Sequence, residues 1–253
     1  MRLLVLICSL LMPLVAWFSQ RGAFGPTNGA VSDRYPTLVV AAGYAFAIWG
    51  LIFLLDIAYG IRQSSASRRA DATLARIAPF AAAGFALTAA WMPLFSMGLF
   101  WLCLLVIAAA LACLLHCTLV LARAQPSPAW ANVPLSLHAG WLALAAFLNL
   151  AQVIVAYQLL PTQQMLGWSL ALFALAAALL LVLNARMRGN VVFVAAAAWA
   201  LVAVYVKQSQ WQLPGASVAA WVALAIVLLL MVQLLWLRTR SRRVADDPSV
   251  ASR

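Results

Sequence analysis

The sequence predicts an all-α protein, a polytopic bundle that crosses a lipid bilayer about eight times and keeps both ends on the cytoplasmic side. Three observations carry this. Of 253 residues, 67% are hydrophobic and 8% charged, with a mean hydropathy of +1.01; a water-soluble domain carries far more polar surface. The apolar residues fall into eight runs near the length of a membrane-spanning helix. The basic residues then collect on one side of those runs.

In chain order the runs are 2–19, 37–61, 77–95, 98–122, 133–159, 165–185, 190–206 and 216–237. Backbone groups in hydrocarbon must be paired within their own segment, and the runs are too long for barrel strands, so each is a helix. The first, MRLLVLICSLLMPLVAWFSQ, lacks a small-x-small cleavage site and is read as a retained helix. The second and third are preceded by the longer connections, 20–36 and 62–76. The fourth and fifth complete an aromatic-rich, proline-punctuated part of the chain. The sixth to eighth are plainer, as in ALFALAAALLLVLNA and VALAIVLLLMVQLLW. After Leu237, residues 238–253 read as a polar, disordered cytoplasmic tail. The division is therefore 1–160, 161–237 and 238–253.

With the N-terminus inside, Arg2, Arg62, Arg68, Arg69, Arg76, Arg123, Arg186, Arg188, Arg238, Arg240, Arg242, Arg243 and Arg253 lie on the cytoplasmic side. Only Arg21, Arg34 and Lys207 lie outside, a bias of 13 to 3 that inversion would reverse. The net charge of +11 is thus explained by topology, and no basic face interleaved with stacking rings suggests nucleic acid. The four cysteines lie within apolar runs and suggest no disulfide framework.

The polar residues inside the runs are few. Asp56 is the one carboxylate in any span. It lies six residues before Arg62, about 9 Å from that end of the helix. A structural ion pair with Arg123 or Arg186 is the expected role, with a proton or ligand role as the alternative. Cys113, His116 and Cys117 share one helix face, and with His138 they admit either a Cys2His2 metal site or a plain packing face; no metal is the expectation. No nucleophile–base set or paired carboxylates can be assembled, so the chain is not read as an enzyme. A transporter would show paired helix breaks or several mid-membrane charges, and neither is clear.

The informative residues are aromatic. Mid-span tryptophans are unusual, because a lipid-facing indole belongs at the interface, where its N–H meets water. Trp49 lies in AIWGLIF, Trp91 in FALTAAWMPLFSMG and Trp141 in LHAGWLALAAFLNLAQ. Together, Trp49 through Phe53, Thr88 through Phe95 and Trp141 through Asn149 resemble, in order and spacing, motifs of the TspO/MBR family, the translocator or tryptophan-rich sensory proteins. Ser32 to Thr37 and Gly43 to Trp49 are similar to the opening of the second span in a longer bacterial branch. The resemblance covers roughly the first 160 residues. It departs where the family's asparagine is Thr88, where its second phenylalanine after Pro93 is Ser96, and in the three further helices.

The resemblance implies a five-helix bundle that binds hydrophobic ring-shaped ligands, porphyrins or other tetrapyrroles and sterols, as a sensor, carrier or scavenger. Tyr44, Phe46, Trp49, Trp91, Phe95 and Trp141 would wall the pocket, with Ala145 and Leu148, and Thr88 or Asn149 would anchor the ligand. The loop 20–36 would close it. The implied setting is the bacterial inner membrane, the partners the bilayer and an apolar small molecule. No resident cofactor is expected apart from porphyrin or haem as ligand. Stretches such as Ala108–Ala110 and Ala195–Ala198 would permit helix contacts within the chain or in a homodimer.

Overall fold

A computed structural model of the chain describes residues 1–68, 71–124 and 128–245. Its helices are α1 (Arg2–Gln20), α2 (Asn28–Arg34), α3 (Ile48–Ser64), α4 (Ala72–Ser96), α5 (Phe100–Arg123), α6 (Ala129–Ala156), α7 (Leu166–Arg186), α8 (Val191–Gln210) and α9 (Ala216–Ala245). A 3-10 turn, Gly43–Ala47, leads into α3. Among the described residues there is no strand, and eight helical segments are long and apolar enough to span a bilayer. This is an all-helical membrane protein.

The lengths follow from local chemistry. The Asp71 carboxylate accepts the Leu74 N–H at 3.0 Å and opens α4 at Ala72, five residues before the apolar run that begins at residue 77. The turn into α5 needs Gly98 at φ +73°, where the Gly98 N–H meets Phe95 O and the Leu99 N–H meets Leu94 O, both at 3.1 Å. Asn190 caps α8 by accepting from the Val192 and Phe193 N–H groups, and its own amide donates to Ser136 Oγ on α6 at 2.7 Å.

α6 is the central helix, packed against α3, α5, α7 and α8. Its approach to α8 depends on Gly140, where a Cβ would stand 2.5 Å from the Phe193 carbonyl oxygen and 2.9 Å from the Ala196 side chain. The alanine run at 195–198 is thus used within the chain. One buried apolar cluster takes in residues from Val5 to Leu234. α7 and α9 are tied by amides: Asn184 Nδ2 donates to Gln233 Oε1 at 2.7 Å, and Gln233 Nε2 to Leu181 O at 3.0 Å.

Two boundaries differ from the sequence reading. The second span is not helical from residue 37. Residues 37–42 run irregularly, with Leu38, Val39 and Val40 buried, before the 3-10 turn begins at Gly43. Irregular backbone survives at membrane depth only where protein supplies its partners, and α8 supplies them. The Gln208 side-chain amide donates to the Thr37 and Val40 carbonyls at 3.1 Å, Ala42 N–H donates to Ala203 O at 2.9 Å, and the Trp199 indole donates to Ala45 O at 3.1 Å. The presumed disordered tail is helical as far as Ala245, because α9 continues past the apolar run; residues 246–253 lie outside the described residues.

Candidate functional site: an aromatic box on a buried relay

α3, α4 and α6 turn their mid-span indoles toward one another. Trp91 and Trp141 are each only 5% exposed, and Trp49 is half-buried. Trp49 stacks on Phe53 (centroids 5.5 Å apart) and Trp91 (6.4 Å), and meets Trp141 edge-on at 6.0 Å. Phe95 stacks on Trp91 at 4.8 Å, and Phe46 meets Trp141 edge-on at 6.3 Å. Edge-on and offset contacts are the arrangements that aromatic quadrupoles favour.

Phe46, Trp49, Trp91, Phe95, Trp141, Ala145, Leu148 and Asn149, all singled out in the sequence, line one cavity. Asn149 is already engaged: its Oδ1 accepts the Trp91 indole N–H at 2.9 Å, and its Nδ2 donates to Ala145 O at 2.8 Å. The Trp141 indole N–H, in contrast, is buried with no partner among the described residues. The rings leave about 30 Å³ free, room for little more than a water. A second cavity of about 360 Å³ lies beside it under α2 and shares Phe46 and Trp49.

Two of the singled-out residues fall elsewhere. Tyr44 is 44% exposed and packs edge-on against Trp199, because the 3-10 turn points it away from Phe46. Thr88 does not line the box; its hydroxyl donates to Gly84 O at 2.9 Å and meets His138 Nε2 at 3.2 Å. Other lining residues escaped the sequence reading. Ser32 and Gln152 are joined across the box by a hydrogen bond of 3.1 Å, and Ala200 comes from α8. Gln152 lies one turn beyond Asn149 on α6, a second amide on the same face, and that spacing was the available signal.

The 20–36 connection covers the outer end. Thr27 Oγ1 caps α2 by accepting from Ala30 N–H, and Asn28 Oδ1 accepts from both Ser19 Oγ (3.1 Å) and Ser96 Oγ (3.0 Å). Ser96, the residue that replaces the family's phenylalanine, thus fastens this cover to α4.

Below the box lies the carboxylate. Asp56 is fully buried and pairs with His138, Oδ2 to Nδ1 at 2.8 Å, not with Arg123 or Arg186. The crossing of α6 over α3 brings His138 to it, whereas the arginines end their helices farther out. Asp56, His138 and Thr88 form a carboxylate–imidazole–hydroxyl array, which the sequence reading did not assemble. Its hydroxyl is buried and lines neither cavity. His138 also stacks parallel to Phe85 and stands edge-on to Trp49 at 5.7 Å. His116 lies on Phe80 at 4.1 Å, so the two histidines do not converge, and no cluster of three metal-ligating side chains occurs among the described residues.

Comparison with curated proteins and with solved structures gives no match. The family model described as TSPO-like protein matches residues 2–236, well beyond the first 160 and through all eight spans. With its tryptophan motifs assembled into one box, this integral membrane chain belongs to the TSPO-like protein family.

Proposed function

We propose that the chain binds planar hydrophobic ring compounds, porphyrins or other tetrapyrroles and sterols, in the aromatic box, and acts as their sensor, carrier or scavenger in a bacterial inner membrane. One observation carries this reading: indoles from three spans are turned away from lipid around a single cavity, and one of them, Trp141, keeps a buried N–H unpartnered. Stacking walls and one unspent donor suit a flat apolar ligand with a polar edge. It is a binding reading, not a catalytic one.

Ligand pockets of this kind enclose about 300–1,000 Å³. The box must therefore open, and Phe46 and Trp49, which line both cavities, are the wall that has to swing. Titration of the purified chain with a porphyrin panel, followed by indole quenching, is the test. Trp49→Ala and Trp141→Ala should each weaken binding by at least about 1 kcal/mol. Absence of saturable binding, or affinity unchanged from the parent chain in both variants, would end this reading. The adjoining larger cavity favours a second reading, a small-molecule transporter, in which the two spaces are stations on one path; porphyrin flux into proteoliposomes separates the two.

A further inference from the structure

The lower half of α3 carries buried polar atoms that protein groups leave unsatisfied. Asp56 Oδ1, Tyr59 OH and both amide atoms of Gln63 have no partner among the described residues, and all three side chains are at most 1% exposed. At i, i+3 and i+7 they form one stripe, about 10 Å long, from the Asp56–His138 pair to the arginine-rich end. Buried polar atoms of this kind are normally satisfied by bound water. A single orphan could be an accident of packing. Three successive ones on one face form a polar stripe.

The surroundings of the stripe are compatible with that. Ser9 of α1 faces Gly60, midway along it. The charged or titratable groups around Tyr59 are Asp56, Arg2 of α1, Asp71 at the head of α4 and Cys117 of α5. α6 adds His138, and α8 meets α6 beside it through Phe193 and Ala196, which do not titrate. Toward the arginine-rich side, Trp130 stacks on Tyr59, with Arg62 and Arg68 over its ring at 5.2 and 5.6 Å.

The inner end holds a proton-dependent choice. The Thr88 hydroxyl donates its one hydrogen to Gly84 O, so His138 Nε2 must donate to Thr88 Oγ1. The short Nδ1–Oδ2 contact then holds a second proton, and the pair is neutral overall. Loss of one proton leaves a net negative pair in a buried interior. The Thr88 hydroxyl must then turn from Gly84 O to donate to a bare Nε2.

We propose that Asp56 and His138 form a proton-loading site reached along the Asp56–Tyr59–Gln63 stripe from the arginine-rich side, with Thr88 as the hydroxyl that changes partner when the proton leaves. A proton taken from water at that face passes through the bound waters. Its bond to the carrier water breaks as an N–H or O–H bond forms within the pair. Since Thr88 lies one turn before Trp91, and Trp49 lies against His138, the floor of the box carries the protonation state. This holds whether or not the box binds a porphyrin.

The chain has only two histidines, so ¹⁵N-histidine labelling of the full chain in nanodiscs gives two imidazoles, separated by His116→Gln. The Nε2–H signal of His138 should be lost as the pair gives up its proton, and Asp56→Asn should change that behaviour. In D₂O its ring N–H should exchange far faster than the backbone amides of Leu137 and Ala139, which are also buried; this arm needs no variant. Gln63→Leu and Tyr59→Phe should slow that exchange several-fold. A His138 fixed in one state while the protein stays folded, ring exchange as slow as those amides, or exchange unchanged in both stripe variants would each overturn the proposal.

Discussion

The two halves of α3 face the same bundle interior and solve burial in opposite ways. Toward the outer side, Trp49 and Phe53 bury large rings, and the polar atoms they meet are paired, as in the Trp91–Asn149 hydrogen bond. Toward the arginine-rich side, Asp56, Tyr59 and Gln63 place polar atoms in the interior and leave four of them unsatisfied by protein. The first half is a wall of rings, and the Trp141 indole that meets it from α6 keeps its N–H unpartnered among the described residues. The second is a polar seam. One helix therefore carries an aromatic surface and a polar one, joined at His138.

The comparison is broken most severely by splitting the Asp56–His138 pair. His138→Leu strands a buried carboxylate, and should cost about 3–5 kcal/mol in detergent unfolding, whereas the double change with Asp56→Leu should recover most of the loss. A double variant as unstable as the single one would show that the pair is not the unit. In the outer half, Asn149→Leu removes the acceptor of the Trp91 N–H and should cost about 1–3 kcal/mol by the same measurement. An equal cost for both halves would erase the contrast drawn here. The smallest effect belongs to the rim, where Lys207 meets Asp33 at 3.0 Å with Asp33 well exposed. Lys207→Ala should change stability by about 0–1 kcal/mol, and less as salt is raised.

How much of this was legible follows the range of the interactions concerned. Spans were legible because hydropathy is local; α1, α5, α7 and α8 start and end close to where the apolar runs do. The box was legible because its rings fall in motifs of fixed spacing. The start of α3 was not. Residues 37–42 are as apolar as a helix, and what lets them stay irregular is Gln208, Ala203 and Trp199, far along the chain. The partner of Asp56 was hidden for a related reason. Arg123 and Arg186, at the cytoplasmic ends of other spans, looked adequate, and only the crossing of α3 and α6 brings His138 within 2.8 Å. Thr88 was expected to meet the ligand, yet its depth on α4 puts it on the imidazole instead.

The wiring of residues 37–45 to α8 also has a consequence for biogenesis. During synthesis the ribosome delivers Thr37, Val40 and Ala42 long before Gln208 and Ala203 exist, so these buried backbone groups wait in the translocating chain without their final partners. The amino-terminal spans complete their fold only when a late helix inserts. A chain cut after the fifth span would keep every tryptophan motif and still lack the hydrogen bonds that hold the first of them in place.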